Sequence, residues 1–253
     1  MNKFEISGEQ NAVIQSQLSI ARDKTTGQEQ FRKAMRAITD HALLVACKDL
    51  PTKSVMLEIP VRTSEDEAIV ENFDMVMGEK VLLVPVLRAG VSGLSKNMVE
   101  LTGGRVAFIG LHRNPKSAML PPVQYYNDVS KCVDKDCRVF VIDPALATGN
   151  SVIAVLEILA KQGYEKMHVV STFSAPEGIA AINKQFPNVK ITTACMCYAT
   201  NARKFIIPAA GDAGDRFFGA GRDGMGQFSK DLAEIATEKQ HADIMVRLSE
   251  VYK

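Results

Sequence analysis

A mostly parallel α/β sheet flanked by helices is the fold this sequence predicts, and three observations carry the prediction. Four short runs, "VLLVPVL" (81–87), "RVAFIGL" (105–111), "RVFVI" (138–142) and "MHVVSTF" (167–173), are apolar and β-rich throughout. Unbroken apolarity suits strands buried on both faces. The stretches "VSGLSKNMVELT", "NSVIAVLEILAKQG" and "PEGIAAINKQF" are each long enough for a crossover helix. Strands alternating with helices predict parallel pairing through right-handed crossovers.

The elements follow in order. "TTGQEQFRKAMRAITDHALLVACKDL" (25–50) repeats apolar residues at helical spacing, with Thr25 or Thr26 as the expected N-cap. A polar, acidic segment then separates this helix from the first strand. Pro176 suits the first turn of its helix and Gly163 the end of another. After the second strand, "HRNPKSAMLPPVQYYNDVSKCVDKD" breaks the alternation with three prolines. Residues 113–130 therefore predict a flexible β-hairpin arm, since long excursions in compact domains are usually functional or disordered. "KFIIPAAGDAGDRFFGAG" is too rich in glycine and alanine for a core strand. Residues 203–219 are read as an irregular loop, and 220–253 as a glycine-rich link with a C-terminal helical extension. The whole chain, 1–253, is read as one domain.

Composition narrows the function classes. At 46% hydrophobic and 23% charged, the chain has an ordinary globular balance. A net charge of +1 gives no electrostatic ground for nucleic acid or an acidic membrane surface. No apolar stretch approaches the ~20 residues of a membrane span, and the N-terminus lacks a signal core. A cytoplasmic protein is expected. Five cysteines rule out a fully paired disulfide framework. Cys195 and Cys197 lie on a predicted strand and are read as buried thiols, with no protein metal centre assigned.

The densest chemistry stands in "RVFVIDPALATGNSVIAVLEIL" (138–159). A strand delivers Asp143 to its carboxyl end, where open parallel sheets bind ligands. "ATGNS" then turns the chain into a helix whose first N–H groups are unpaired and dipole-positive. Thr148, Asn150 and Ser151 add side-chain donors, and Gly149 permits close backbone approach. One reading is a phosphate-monoester site with an acid placed for sugar hydroxyls. The other is an ordinary strand-to-helix turn capped by Asn150 or Ser151. The glycine spacing matches neither a nucleotide P-loop nor a dinucleotide fingerprint.

The stretch resembles the phosphoribosyl-diphosphate (PRPP) loop of the type I phosphoribosyltransferases. The "DPxLATG" form, with Pro144 in place of a second acid, resembles the uracil phosphoribosyltransferase family. Four further stretches agree in order: "ARDKTTGQEQFR", "VPVLRAG", "APEGIAAI" and "FIIPAAGDAGDRFFG", with "HRN" at the start of the arm. The likeness covers about residues 17–219.

This resemblance implies transfer of a phosphoribosyl group from PRPP to uracil, giving UMP and diphosphate, with Mg²⁺. It assigns PRPP to Arg88, Arg113, Asp143, Pro144, Ala145, Leu146, Ala147, Thr148, Gly149, Asn150, Ser151 and Asp212. It assigns uracil to Ile206, Gly211, Asp212 and Ala213, and catalysis to Arg88, Asp143 and Asp212. It implies a homodimer or homotetramer, and a GTP effector as in some members. It also implies a strained cis peptide near Arg88. Three departures stand out. Lys116 follows Arg113 where acids are usual, Ala209 replaces a glycine, and the tail runs past Gly219. If position 209 required positive φ, alanine would carry a steric cost there, leaving another base open. A regulatory protein that keeps the fold is the other alternative. Asp215 and Arg216 are expected to pair as a structural ion pair, and Tyr125 and Tyr126 to serve either the site or hairpin packing.

Overall fold

The computed structural model describes residues 4–60, 68–112, 121–129, 134–219 and 224–251. The chain opens with β1 (Phe4–Ile6), α1 (Ala12–Arg22) and α2 (Gln28–Ala46), then a hairpin of β2 (Thr52–Pro60) and β3 (Ala68–Val76). β4 (Val81–Leu87), α3 (Ala89–Gly93), α4 (Lys96–Thr102), β5 (Arg105–Val106), β6 (Ile109–His112) and β7 (Val123–Asn127) follow. Next come β8 (Arg138–Ile142), β9 (Ala145–Leu146), α5 (Asn150–Lys161), β10 (Met167–Ser174), α6 (Pro176–Gln185) and β11 (Lys190–Met196). β12 (Ala199–Thr200), β13 (Ile206–Ile207), α7 (Ala213–Phe218), α8 (Met225–Ala233) and α9 (Glu238–Val251) end the chain.

The main sheet runs β1-β11-β10-β8-β4-β6-β7, parallel except for the β6–β7 pair. The mostly parallel sheet flanked by helices is therefore as predicted. Its order carries the functional consequence. From β4 the chain moves to β6 on one side, and then returns to β8 on the other. The carboxyl ends of β4 and β8 thus flank a topological switch point, where open α/β sheets bind ligands. Arg88 follows the first strand and Asp143 the second.

Residue parity shows why these strands are apolar throughout. Val81, Leu83 and Leu87 of β4 face one core with Phe140 and Ile142 of β8. Leu82, Val84 and Val86 face a second core with Val139 and Val141. α2 covers the first face through Phe31, Met35 and Ile38, all fully buried. α5 and α6 cover the second through Val155, Leu159 and Ile182. Successive strand side chains point to opposite faces, so a strand covered twice needs apolar residues at every position.

Several details differ from the sequence reading. α2 begins at Gln28 with Gly27 as its cap, not Thr25 or Thr26; Thr25 instead donates to Asp23 Oδ1 at 2.8 Å. α1, with Asn11 capping Val13 and Ile14, was not anticipated. "RVAFIGL" is two short strands, β5 and β6, both paired to β4. The C-terminal extension forms two helices, because Thr237 and Gln240 build a capping box that restarts the chain as α9. The polar segment before β4 is a regular hairpin. Its register places Val55, Leu57, Ile59, Ile69, Phe73 and Met75 on one face with Lys53 and Glu71, and Met56, Val70 and Val76 on the other with Ser54, Glu58, Asn72 and Asp74. It pairs with no other strand among the described residues.

Candidate active site

The loop after β4 begins at a cis Leu87–Arg88 peptide, as the resemblance implied. α3 then starts so close to β8 that a Cβ on Gly90 would lie 2.5 Å from the Ile142 carbonyl oxygen. Glycine is required there by close approach, and the approach is what holds the two strand ends side by side. The Arg88 side chain is only 14% exposed, with Nη2 3.9 Å from Asp215 Oδ1. Asp143 sits beyond β8 and accepts the Ala145 N–H at 3.2 Å, an Asx-type turn. Burial raises its carboxyl from 3.8 to about 6.

That shift has a consequence for the unliganded protein. A carboxyl whose folded pKa exceeds its unfolded value holds its proton more tightly in the fold. Stability from this group is therefore lost as pH rises from about 4 to about 6, and the loss persists above. The gap corresponds to at most about 3 kcal/mol. Asp143→Asn should raise unliganded stability at pH 7.5 by up to that amount and leave it unchanged near pH 3.5. Urea titrations at the two pH values read the difference, and an equal gain at both would exclude burial of charge as the cause.

The turn after Asp143 divides its residues. Pro144 and Leu146 are buried, and their carbonyls accept the N–H groups of Phe173 and Ala175 at 3.0 and 2.9 Å. Their carbonyls are thus engaged by the sheet, and neither residue is on the cavity lining. Ala145 and Ala147 face the cavity. Thr148, Gly149, Asn150 and Ser151 lead into α5 just beyond Ala147 and are not on its lining. Gly149 takes φ 82° as the N-cap, without a side-chain cap bond. A Cβ on it would meet the Gly178 carbonyl oxygen at 3.0 Å, so a side chain there is disfavoured twice.

The third contribution comes from the other end of the chain. β12 and β13 form a small hairpin carrying Ile206, followed by a cis Ile207–Pro208 bond. Cys197 Sγ donates to the Pro208 carbonyl at 3.2 Å. Arg216 donates to the carbonyls of Ala210, Ala21 and Asp23 at 3.0, 2.6 and 2.8 Å, and stacks 4.1 Å over Phe31. The expected Asp215–Arg216 pair is therefore replaced: Arg216 anchors the loop to the N-terminal helices, and Asp215 turns towards Arg88. Gly211 takes φ 71°, and Asp212 Oδ1 caps α7 by accepting the Asp215 N–H at 3.1 Å. Ala209 is not among the residues with positive φ, so its methyl carries no backbone penalty.

These loops enclose a cavity of about 360 Å³. Arg88, Asp143, Ala145, Ala147, Ile206, Gly211, Asp212 and Ala213 all line it. Arg113 and the start of the arm lie outside the described residues. Tyr125 lines the cavity, whereas Tyr126 is buried with its hydroxyl on Asp128 Oδ2 at 3.2 Å. The two tyrosines thus take one role each. Sequence reasoning missed Phe173, His112, Lys204, Leu248 and Val251 as lining. Lys204 opens the base loop and could have been found there. Leu248 and Val251 carry no local signal.

A basic loop, an acid and a helix-opening turn thus meet at the switch point of a parallel sheet, the edge where open α/β sheets bind ligands. Comparison with known proteins makes the class specific. A family model described as uracil phosphoribosyltransferase matches residues 8–220. A uracil phosphoribosyltransferase of Dictyoglomus thermophilum is 38% identical over 207 residues, 82% of this chain and 95% of that protein. One from Clostridioides difficile is 35% identical over 212 residues, covering 82% and 94%. A solved structure from Aquifex aeolicus superposes with a TM-score of 0.73 at 27% identity, covering 85% of this chain and 98% of that one. The chain belongs to the uracil phosphoribosyltransferase family.

The family implies a magnesium ion, and the donors present suit one. Among the described residues no group of three or more His, Cys, Asp or Glu gathers as a metal cage. Asp143 and Asp212 both belong to the cavity lining, which suits an ion that would be held mainly by substrate oxygens and water with at most one or two carboxylates.

Proposed function

We propose that this protein transfers the 5-phosphoribosyl group of PRPP to uracil, giving UMP and diphosphate. The observation that carries the reading is the single cavity shared by Arg88, Asp143, Asp212 and the Ile206–Ala213 loop. Ala209 adopts an ordinary backbone, which removes the reason to favour another base.

In this reading the N-terminus of α5, with Thr148, Asn150 and Ser151, binds the 5′-phosphate through unpaired N–H groups and hydroxyls. Asp143 accepts the ribose hydroxyls. Arg88 presents a planar, bidentate donor to the diphosphate, and Arg113 adds a second cation from the arm. The backbone around Ile206, Gly211, Asp212 and Ala213 fixes the plane and edge of the base. The bond from C1′ to the diphosphate oxygen breaks, N1 of uracil bonds to C1′, and the N1 proton is released to solvent. Magnesium would supply charge neutralisation of the diphosphate. No protein nucleophile takes part; positioning and electrostatics lower the barrier. A steady-state assay with PRPP, Mg²⁺ and a panel of pyrimidines and purines, alongside PRPP binding, tests this. PRPP binding without turnover of any base would favour a regulatory protein.

Oligomer and location belong to the same proposal. The β2–β3 hairpin exposes Ile69, Phe73 and Met75 at 58%, 42% and 49% on one face. Two strands alone are marginal in water, and such a stripe needs cover. A second copy of the chain is the occupant we assign, giving a homodimer or a homotetramer built from dimers. Ile69→Asp with Phe73→Asp should shift light scattering to the monomer mass, and an unchanged mass would exclude the hairpin from the interface. Cys47, Cys137, Cys195 and Cys197 are free thiols, which suits the cytoplasm. No helix among the described residues is long and apolar enough to cross a membrane. A GTP effector remains part of the family reading, tested by adding GTP to the assay.

A further inference from the structure

The family match ends at residue 220, yet the chain continues through two more helices. These helices are built into the protein. Phe228 of α8 is fully buried, edge-on to Phe218 at 5.3 Å. Asp231, almost fully buried, accepts Arg32 at 2.6 Å and lies 3.3 Å from Arg36, so α8 is tied to α2. Ser229 and His241 join α8 to α9 at 2.9 Å.

α9 is held at its start by one side chain with two tasks. Gln240 completes the capping box with its Oε1, which accepts the Thr237 N–H at 3.0 Å. Its Nε2 donates to the Val106 carbonyl at 3.0 Å and to Asp128 Oδ2 at 2.8 Å. Asp128 is itself buried and accepts the Phe108 N–H at 2.7 Å. This anchor aims the far end of α9 across the carboxyl edge of the sheet. Ile244 and Leu248 are buried in the core on the way, and Leu248 backs the half-buried Val251 on the lining of the same cavity as Arg88, Asp143 and Ile206.

We propose that α9 is a permanent wall of the substrate cavity, and that Leu248 and Val251 help determine affinity and selectivity for the acceptor base. The inference rests on the transferase reading of the cavity. The ligand has two chemically distinct ends. A phosphate, ribose or diphosphate gains nothing from an aliphatic side chain that displaces its water. A flat heteroaromatic base buries apolar surface against one, and small-molecule sites combine such walls with a few polar groups. The aliphatic surface of Val251, backed by buried Leu248, therefore fits the base. The helix supplying them lies outside the region shared with the relatives, so this contact is an addition to the matched site.

The test compares UMP, which carries the base, with ribose 5-phosphate, which does not. Binding of each is measured by calorimetry on the full chain, on Val251→Ala, on Val251→Asp, and on a chain ending at Arg247. Thermal melting confirms that each is folded, and the single substitutions at the helix end serve if the truncation does not fold. The truncation should weaken UMP at least about tenfold, with Val251→Asp weaker than Val251→Ala, while ribose 5-phosphate changes less than about twofold. The KM for uracil should rise more than the KM for PRPP. Unchanged UMP affinity, or equal loss for both ligands, would overturn the base-facing wall while leaving the transferase site standing. A full-length chain that binds neither ligand would overturn the site reading, and the wall with it.

Discussion

Uracil and 5-fluorouracil are expected to be turned over with PRPP, and cytosine to be used less efficiently by on the order of 10⁴-fold in kcat/KM. Uracil presents an acceptor at O4 and a donor at N3; neutral cytosine reverses both. A pocket whose polar groups are side chains could rotate to suit the reversal. Here the loop is fixed from both flanks, by Cys197 on the Pro208 carbonyl and by Arg216 on the Ala210 carbonyl. Backbone groups on either side of those anchors, at Ile206 and at Gly211 to Ala213, cannot exchange donor for acceptor, so cytosine leaves them unpaired. Sites that hydrogen-bond a substrate group reject its mismatched analogue by about 10⁴-fold or more. Fluorine at C5 changes no hydrogen bond. Comparable specificity constants for uracil and cytosine would remove the uracil assignment and leave the PRPP site standing.

The parts of this site that were legible in the sequence are those created by adjacent residues. A strand ending in Asp143 and turning at Gly149 into a helix is one local unit, and strand burial on both faces is written in the residues themselves. What was not legible depends on the far ends of the chain. Arg216 looked like the partner of its neighbour Asp215, but three carbonyls and the Phe31 ring, two of those carbonyls in the N-terminal region, compete for its planar donors and win. "DRFFG" looked like loop, yet Phe217 and Phe218 pack into the core against Phe31 and Phe228. The β2–β3 hairpin escaped notice because its apolar face has no core of its own to meet. Leu248 and Val251 gave no signal because helical periodicity reports which face is buried, not what it is buried against.

Replacing Arg88 should produce the largest catalytic loss of any single change in the described site. Among the described residues its guanidinium is the one arginine on the lining, and it is mostly buried with Asp215 3.9 Å away. Charge builds on the departing diphosphate as the C1′–O bond opens, and a preorganised cation in a water-poor cavity acts most strongly at that moment. Loss of one such donor elsewhere costs about 10²–10³ in kcat, and Arg88→Ala is expected to fall in or beyond that range. Arg88→Lys should recover part of the rate, because charge returns without the planar fork. A second signature reports where the guanidinium points. Burial and neighbouring Asp212 raise the Asp215 carboxyl, and Arg88 pulls it back down. Removing the arginine lifts that restraint, so Asp215 should titrate at higher pH in Arg88→Ala than in the intact protein. NMR titration of its carboxyl carbon reads the shift directly. A variant that loses rate while Asp215 titrates unchanged would mean the cation faces elsewhere in solution. One that keeps its rate would remove Arg88 from the reaction.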